Sequence, residues 1–398
     1  MGTNPSRMQV LVVGAGPVGL FAALRLREQG VAVRIIDQHP SHRAHNFPVV
    51  LHPQTLRLLQ SMNIAAPLFW RGKPVPRLAI YTRCQRRIVL ELPALKGELS
   101  GVLTLPQDVL RRALVSALEQ RGVSIEWSTR LCALQQDARA VSGDLRYEGE
   151  GQARVAPFEA DYVIGADGYE STVRELLRIR LLDCGPLQTY AFFDATCALA
   201  HNEAQLSLSD EAASSAYPLQ GGQTRFSFQL NGALHRSVDA SALGDLLAAR
   251  MPWQAPHVAS CDWGGVAEFR HALVDRFGVG RAWLAGEAAH MTGPLGAQSM
   301  NVGIDEANEL ALRMSLDLQR GTAPTFGVHY DAERRRRWAK LLSLVPYAQS
   351  NPTTPTWLAE QLRHVVGALP ASEGDLDQLL SQLRLAPSQA FPGAATAG

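Results

Sequence analysis

Val10–Val13 is an uninterrupted aliphatic run, the pattern of a strand buried on both faces of a parallel sheet. A glycine turn over Gly14–Gly16 follows. Leu20, Leu24 and Leu26 then lie on a segment that stops at Gly30, which predicts a helix closed by a C-terminal glycine. Val31–Ile36 gives a second strand ending at Asp37, so the chain begins with a βαβ unit. Val109, Leu110, Leu114 and Leu118 recur at helical spacing from Gln107 to Gly122, before the strand-like Val123–Trp127. Short alternating stretches from Leu131 to Phe158, punctuated by glycines, predict a small antiparallel meander. Tyr162–Ile164 returns to a buried strand. Between Pro186 and Ala272 the pattern changes: Phe226, Phe228 and Leu230 alternate with Arg225, Ser227 and Gln229, as on a half-buried antiparallel strand. Ala282–Ala285 is again a buried strand, and helices are expected over Gly303–Leu318 and near Tyr330–Val345.

Composition narrows the class. A chain of 398 residues, 46% hydrophobic, has room for two domains with real cores. Its 38 Lys+Arg against 37 Asp+Glu leave a net charge of +1, without the basic surplus that nucleic acid binding needs. The run Arg334–Arg337 is expected to be a solvated helix face. Cys84, Cys132, Cys184, Cys197 and Cys261 lie far apart and form no CxxC pair, which fits a reducing cytoplasm. Val10–Leu24, broken by Gly14, Gly16, Pro17 and Gly19, suits a strand-turn-helix better than an export signal and is too short for stable membrane insertion. His39, His42, His45 and His52 match no metal-ligand spacing. Neither a GxSxG elbow nor an HExxH helix is present. Trp70, Trp253 and Trp263 are expected in the core or a pocket wall.

Three motifs carry the chemistry. In the first, Gly14-Ala15-Gly16-Pro17-Val18-Gly19, Gly14 permits a tight turn, Gly16 lets the backbone approach a pyrophosphate, and Gly19 lets helix and strand pack closely. The following helix N-terminus supplies amides and positive dipole to phosphates. Asp37, eighteen residues beyond Gly19, is placed for a ribose hydroxyl and disfavours a 2′-phosphate, which points to FAD or NAD. The second motif delivers Asp167-Gly168 at the end of a strand, with Ser171 positioned to cap the next helix before Arg174. The third runs from Gly280 through Gly286-Glu287-Ala288-Ala289-His290 to Pro294, Gly296, Met300, Asn301 and Asp305.

In this order and spacing, from Val10 to about Val345, the motifs resemble those of the single-component flavoprotein aromatic hydroxylases of the p-hydroxybenzoate hydroxylase type. The resemblance implies an α/β chain: a Rossmann-like, doubly wound FAD-binding domain with an interleaved antiparallel-sheet substrate domain. The first would take residues 1–75, 105–185 and 273–350, the second 76–104 and 186–272, and 351–398 would form C-terminal helices and a flexible tail. The cofactor-binding set so implied is Gly14, Gly16, Pro17, Val18, Gly19, Asp37, Arg43, Gln107, Arg111, Asp167, Gly168, Glu287, Ala297, Gln298, Ser299, Met300 and Asn301. Pro294, whose carbonyl would face the reacting carbon, and Arg225, near the flavin ring, would be the catalytic positions. Two departures stand out. Glu287 replaces the family's aspartate at the ribitol hydroxyls, and Ala297 and Ser299 replace two glycines of the loop that lines the isoalloxazine.

The implied reaction takes electrons from NADPH or NADH, which docks transiently because no second GxGxxG is present. O2 adds at flavin C4a, and one oxygen passes to a small aromatic or polyketide-like molecule while the other leaves as water. An FAD-dependent reductase or dehydrogenase, or epoxidation or Baeyer–Villiger insertion on the same fold, are the alternatives. A flavin-dependent halogenase would carry a Trp-x-Trp-x-Ile-Pro segment, which this sequence lacks. A monomer or homodimer is expected.

Overall fold

The computed structural model describes residues 8–41, 48–94, 101–148, 153–197, 202–209, 212–230, 238–321 and 324–387. Its organising element is a six-stranded sheet in the order Gly278–Val279, Ala282–Leu284, Tyr162–Gly165, Val10–Val13, Val33–Ile36, Ile125–Glu126. All neighbours are parallel except the first pair. Val10 lies opposite both Tyr162 and Val33, so the ends of the first two motif strands, Val13 and Gly165, arrive side by side. Central strands covered on both faces need aliphatic side chains throughout, which is why Val10, Leu11 and Val12 are fully buried. Helix Pro17–Glu28 packs on the long helix Gln298–Arg320 and on Gln107–Gln120. The meander is a three-stranded antiparallel sheet of Thr129–Gln136, Val141–Tyr147 and Arg154–Ala160.

A second, seven-stranded sheet runs Val258–Phe269, Gln188–Cys197, Gln223–Leu230, Ala213–Pro218, Glu203–Leu208, Arg77–Thr82, Gln85–Glu91. It is antiparallel except where Glu203–Leu208 pairs in parallel with Arg77–Thr82, the seam that joins two distant stretches of chain. The alternating strand Gln223–Leu230 is central rather than half exposed. Phe226 and Phe228 enter a core with Leu243, Leu247 and Met251, while Arg225 and Ser227, also buried, occupy the opposite face. The polar face therefore meets a cleft and not open solvent.

Two expectations change. The long helix begins at Gln298, earlier than Gly303, because the polar Gln298 and Asn301 are buried rather than part of a loop. Trp70, 85% exposed, lies outside the core but on the wall of a separate cleft of about 570 Å³, with Ile64, Leu68 and Arg112. The arginine run is only half solvated: on helix Gly327–Leu341, Arg335 and Arg336 are exposed, but Arg334 is buried between Asp305 and Glu309, and Arg337 reaches Asp305 and Glu373. Helices Thr356–Ala368 and Gly374–Gln382 pack into the main core through Leu358, Val365, Leu376 and Leu379. Among the described residues no helix is long and apolar enough to cross a membrane.

Removing one member of a buried ion pair leaves an uncompensated charge in low dielectric. Arg334→Met should lower unfolding free energy by about 3 kcal/mol, the low end for such losses because Arg337 still serves Asp305. Urea denaturation followed by circular dichroism measures it, with Arg335→Met, on the solvated side, expected near zero.

Candidate functional site

Each glycine of the first motif meets a different requirement. Gly14 has φ +103°, and a β-carbon there would lie 2.3 Å from the carbonyl oxygen of Ala166. A β-carbon on Gly19 would lie 1.9 Å from the carbonyl oxygen of Gly14. Gly16 is the opposite case: nothing lies within 4 Å of its β-carbon position, because it borders a cleft of about 340 Å³. Helix Pro17–Glu28 starts at that cleft with Pro17 in its first turn and no side-chain cap, leaving its N-terminal dipole and amides to a ligand.

Asp37, Gln107, Arg111, Asp167, Gly168 and Glu287 border the same cleft. Asp37 accepts the N–H of Ala15 at 2.8 Å and that of His39 at 2.9 Å, bracing the glycine turn with the oxygens assigned to a ribose. His39 Nδ1 takes the second lone pair of Oδ1 at 2.8 Å, which leaves Oδ2 with one for that hydroxyl. Asp167 accepts from the Ser171 hydroxyl at 2.6 Å and from the Val173 N–H at 3.1 Å. Burial pushes its carboxyl above the usual range against the pull of those donors. Ser171 caps the next helix by accepting the Arg174 N–H at 3.0 Å, as the sequence predicted. Arg174 in turn donates to the Ala288 carbonyl at 3.1 Å and so fastens the second motif to the third. Arg111 donates to Asp108, and its buried Nε has no partner among the described residues. Val18 and Gly19 do not border the cleft; Val18 packs under Gly286 and Gly303, where a β-carbon on Gly303 would lie 2.9 Å from both Val18 and the Gly286 Cα. Arg43, with His42 and His45, lies outside the described residues.

A second cleft, about 240 Å³, adjoins the first and shares Gln107 and Glu287 with it. One wall is Pro294, Ala297, Gln298, Ser299 and Met300; the other is the seven-stranded sheet, with Phe192, Tyr217, Arg225 and Phe269. Glu287 stands between the two, its carboxyl raised by the surrounding protein despite the nearby His290. Arg225 makes a bidentate pair with Asp194, at 2.5 and 2.6 Å, and its guanidinium lies over the rings of Trp263 and Phe192. Burial raises the Tyr217 hydroxyl well above its ordinary value, so it stays a neutral phenol.

Sequence reasoning missed what holds these walls. Glu306, fully buried on the long helix, accepts from the Gly286 N–H at 3.0 Å, pairs with His290 Nε2 at 2.8 Å and accepts from Trp338 Nε1 at 2.7 Å. Burial works against its charge, yet His290 and these donors hold its carboxyl below the usual range. Trp338 stacks on the His290 ring at 3.7 Å. The side chain of Asn301, assigned by resemblance to the cofactor, is spent on the protein: its oxygen accepts from His52 N–H and Thr55 Oγ1, and its amide donates to Val50 and Ala297 carbonyls, all at 2.7 to 2.8 Å. That exhausts the side chain's capacity and fastens the loop. Ala297 takes the left-handed conformation, φ +51°, that a glycine would adopt at less strain. His52 is buried with both ring nitrogens used, by Gly296 and Ser372, and burial lowers its pKa to about 3. No spacing rule links His52 to Ser372, which is why the sequence hid the pair.

The residues fit a dinucleotide. An open glycine at an uncapped helix start, an arginine Nε left without a partner, and an acid at the end of the second strand line one cleft. A cavity with Phe192, Tyr217 and Phe269 in its wall adjoins it.

Comparison with known proteins agrees. The family described as FAD binding domain matches residues 7–344. A 6-methylpretetramide 4-monooxygenase of Streptomyces rimosus is 30% identical over 345 residues, covering 84% of this chain and 60% of the relative. A pentachlorophenol 4-monooxygenase of Sphingobium chlorophenolicum is 28% identical over 348 residues, 82% of this chain and 61% of the relative. The chain thus spans about three fifths of the length of these curated relatives. The p-nitrophenol 4-monooxygenase PnpA from Pseudomonas putida DLL-E4 shares the fold with a TM-score of 0.71 at 20% identity, over 95% of this chain and 96% of its own.

Gly16→Glu should give a folded protein that binds FAD far more weakly, because its side chain enters open space but sets a carboxylate near the phosphates. At about 5 Å and an effective dielectric near 20 that repulsion is about 3 kcal/mol, roughly a hundredfold in affinity. Flavin absorbance after dialysis against FAD, with circular dichroism as the folding control, reads the outcome; Gly19→Ala should instead lose the fold. Acid stability offers a separate check. Neutral His52 is favoured only in the folded state, so stability is full above pH 6.5 and falls as pH drops toward 3, by up to about 1.4 kcal/mol per pH unit. Urea midpoints between pH 6.5 and 5 should show that slope in the wild type and a shallower one in His52→Gln.

Proposed function

The chain belongs to the FAD binding domain family, and from that premise we propose that it is an FAD-dependent monooxygenase. In this reading it uses NADPH or NADH and O2 to hydroxylate a small aromatic or polyketide-like molecule. The observation that carries the proposal is the pair of adjoining clefts that share Gln107 and Glu287, one suited to phosphates and ribose, the other walled by aromatic rings. When bound, FAD supplies nicotinamide-driven reduction and oxygen activation, chemistry that no side chain provides. The activities for which the relatives are named, a pretetramide, a chlorinated phenol and a nitrophenol monooxygenase, support phenolic or polyketide substrates.

This chain's own residues bind and orient. The uncapped start of helix Pro17–Glu28 and Arg111 hold the diphosphate, and Asp37 the ribose. Glu287, one methylene longer than aspartate, reaches the ribitol chain where the clefts join. The Pro294–Met300 loop forms the ring-facing wall and the sheet the opposite one. Phe192 and Phe269, ring centroids 6.0 Å apart, offer edges and faces to an aromatic substrate. Asp194 neutralises Arg225, so the sheet wall favours an uncharged ring over an anionic one. Tyr217, a neutral phenol, can exchange a hydrogen bond with a substrate hydroxyl.

The test is turnover by purified, FAD-loaded protein with NADPH or NADH and a panel of phenols, following O2 uptake and product mass. A product heavier by one oxygen atom, formed with nicotinamide oxidation, is expected. A product lacking two hydrogens, with no oxygen gained, would replace this reading with a dehydrogenase.

A further inference from the structure

The Pro294–Met300 loop is held from outside by the C-terminal part of the chain. Gly296 lies so close to Gly367 that a β-carbon would sit 2.3 Å from the Gly367 carbonyl oxygen. Gln298, 2% exposed, donates through Nε2 to the Leu369 carbonyl at 2.7 Å and the Ala371 carbonyl at 3.2 Å. Since both partners are acceptors, the amide has only one workable orientation. His52 closes the circuit. Its Nε2 lies 2.9 Å from the Gly296 carbonyl and must carry the proton, which leaves Nδ1 to accept from the Ser372 hydroxyl at 2.7 Å. The next residue, Glu373, pairs with Arg337, and Arg337 with Asp305 on the helix that the loop enters. Ala297 and Glu373 both have φ +51°, a conformation that persists in non-glycine residues only where surrounding contacts over-determine it.

We propose that Gly367–Glu373, acting through His52 and Gln298, is a clamp that sets the position of the Pro294–Met300 loop against the isoalloxazine ring. His52 and Ser372 are then positioning residues for oxygen transfer, although neither borders either cleft. The proposal rests on the monooxygenase reading for its consequence and on the hydrogen bonds alone for the clamp. A loop held at fixed height keeps the ring-facing wall closed to water, which governs how much of the consumed nicotinamide ends in hydroxylated product.

Ser372→Ala removes the donor to His52 and little volume; Gln298→Met removes the bonds to Leu369 and Ala371. In both, amide hydrogen exchange of residues 295–300 should quicken about tenfold while that of helix Pro17–Glu28 is unchanged. In the FAD-loaded enzyme the flavin absorption bands should shift, and product formed per nicotinamide oxidised should fall about twofold or more, with the FAD affinity of Ser372→Ala, which borders neither cleft, within about threefold of wild type. Ser372→Thr, which keeps the hydroxyl, should restore both. Unchanged exchange in Ser372→Ala and Gln298→Met overturns the clamp. Faster exchange with unaltered flavin bands and coupling overturns the positioning role. If the wild type takes up no flavin, the monooxygenase reading falls, and the exchange measurement still decides the clamp.

Discussion

Three backbone segments far apart in sequence approach one another more closely than side chains allow, and the site exists because of that approach. Gly14, Gly19, Gly286 and Gly303 sit where a β-carbon would overlap a carbonyl, a Cα or the side chain of Val18. The tight meeting brings the ends of the strands Val10–Val13 and Tyr162–Gly165 and the turn after Ala282–Leu284 to one rim of the parallel sheet. Ligands of open α/β sheets bind at that carboxyl edge. Gly16 is the exception that makes a place for them, because its missing side chain faces the cleft instead of a neighbour.

Buried charge does what packing cannot at the third motif. Glu306 gathers a backbone N–H, an imidazole and an indole N–H around one carboxylate, which fixes the turn Gly286–Ala288 to the long helix. Asp305, its neighbour, pairs with Arg334 and Arg337 on the helix that also carries Trp338. Adjacent carboxylates on the long helix thus both hold the arginine-rich helix Gly327–Leu341 through its inward members. The charges are paired although His290 Nδ1, Arg334 Nε and Arg337 Nη2 have no partner among the described residues, and breaking a pair would strand a buried charge.

The parallel sheet, the meander and the glycine turn were legible because each follows from local rules: aliphatic runs, period-two alternation, and glycine where φ is positive. Asp37, Asp167, Gly168, Glu287, Gln107 and Arg111 were found by motif and do border one cleft. What escaped was long-range. Alternation on Gln223–Leu230 revealed two faces but not that the polar one meets a cleft, because solvent and a lined cavity impose the same pattern. Arg334 read as a solvated charge because its partners, Asp305 and Glu309, come from another helix. Asn301 matched a motif position, yet its side chain is saturated by protein, a fact that depends on where His52, Thr55 and Val50 fold.

The strand Gln223–Leu230 divides its duties by parity. Phe226 and Phe228 belong to the core that supports the sheet, whereas Arg225 and Ser227 belong to the cavity. Replacements at odd positions therefore reshape what the cavity admits without disturbing the hydrophobic foundation, and replacements at even positions do the reverse. The capacity to fold and the lining of the cavity are written on opposite sides of the same ribbon.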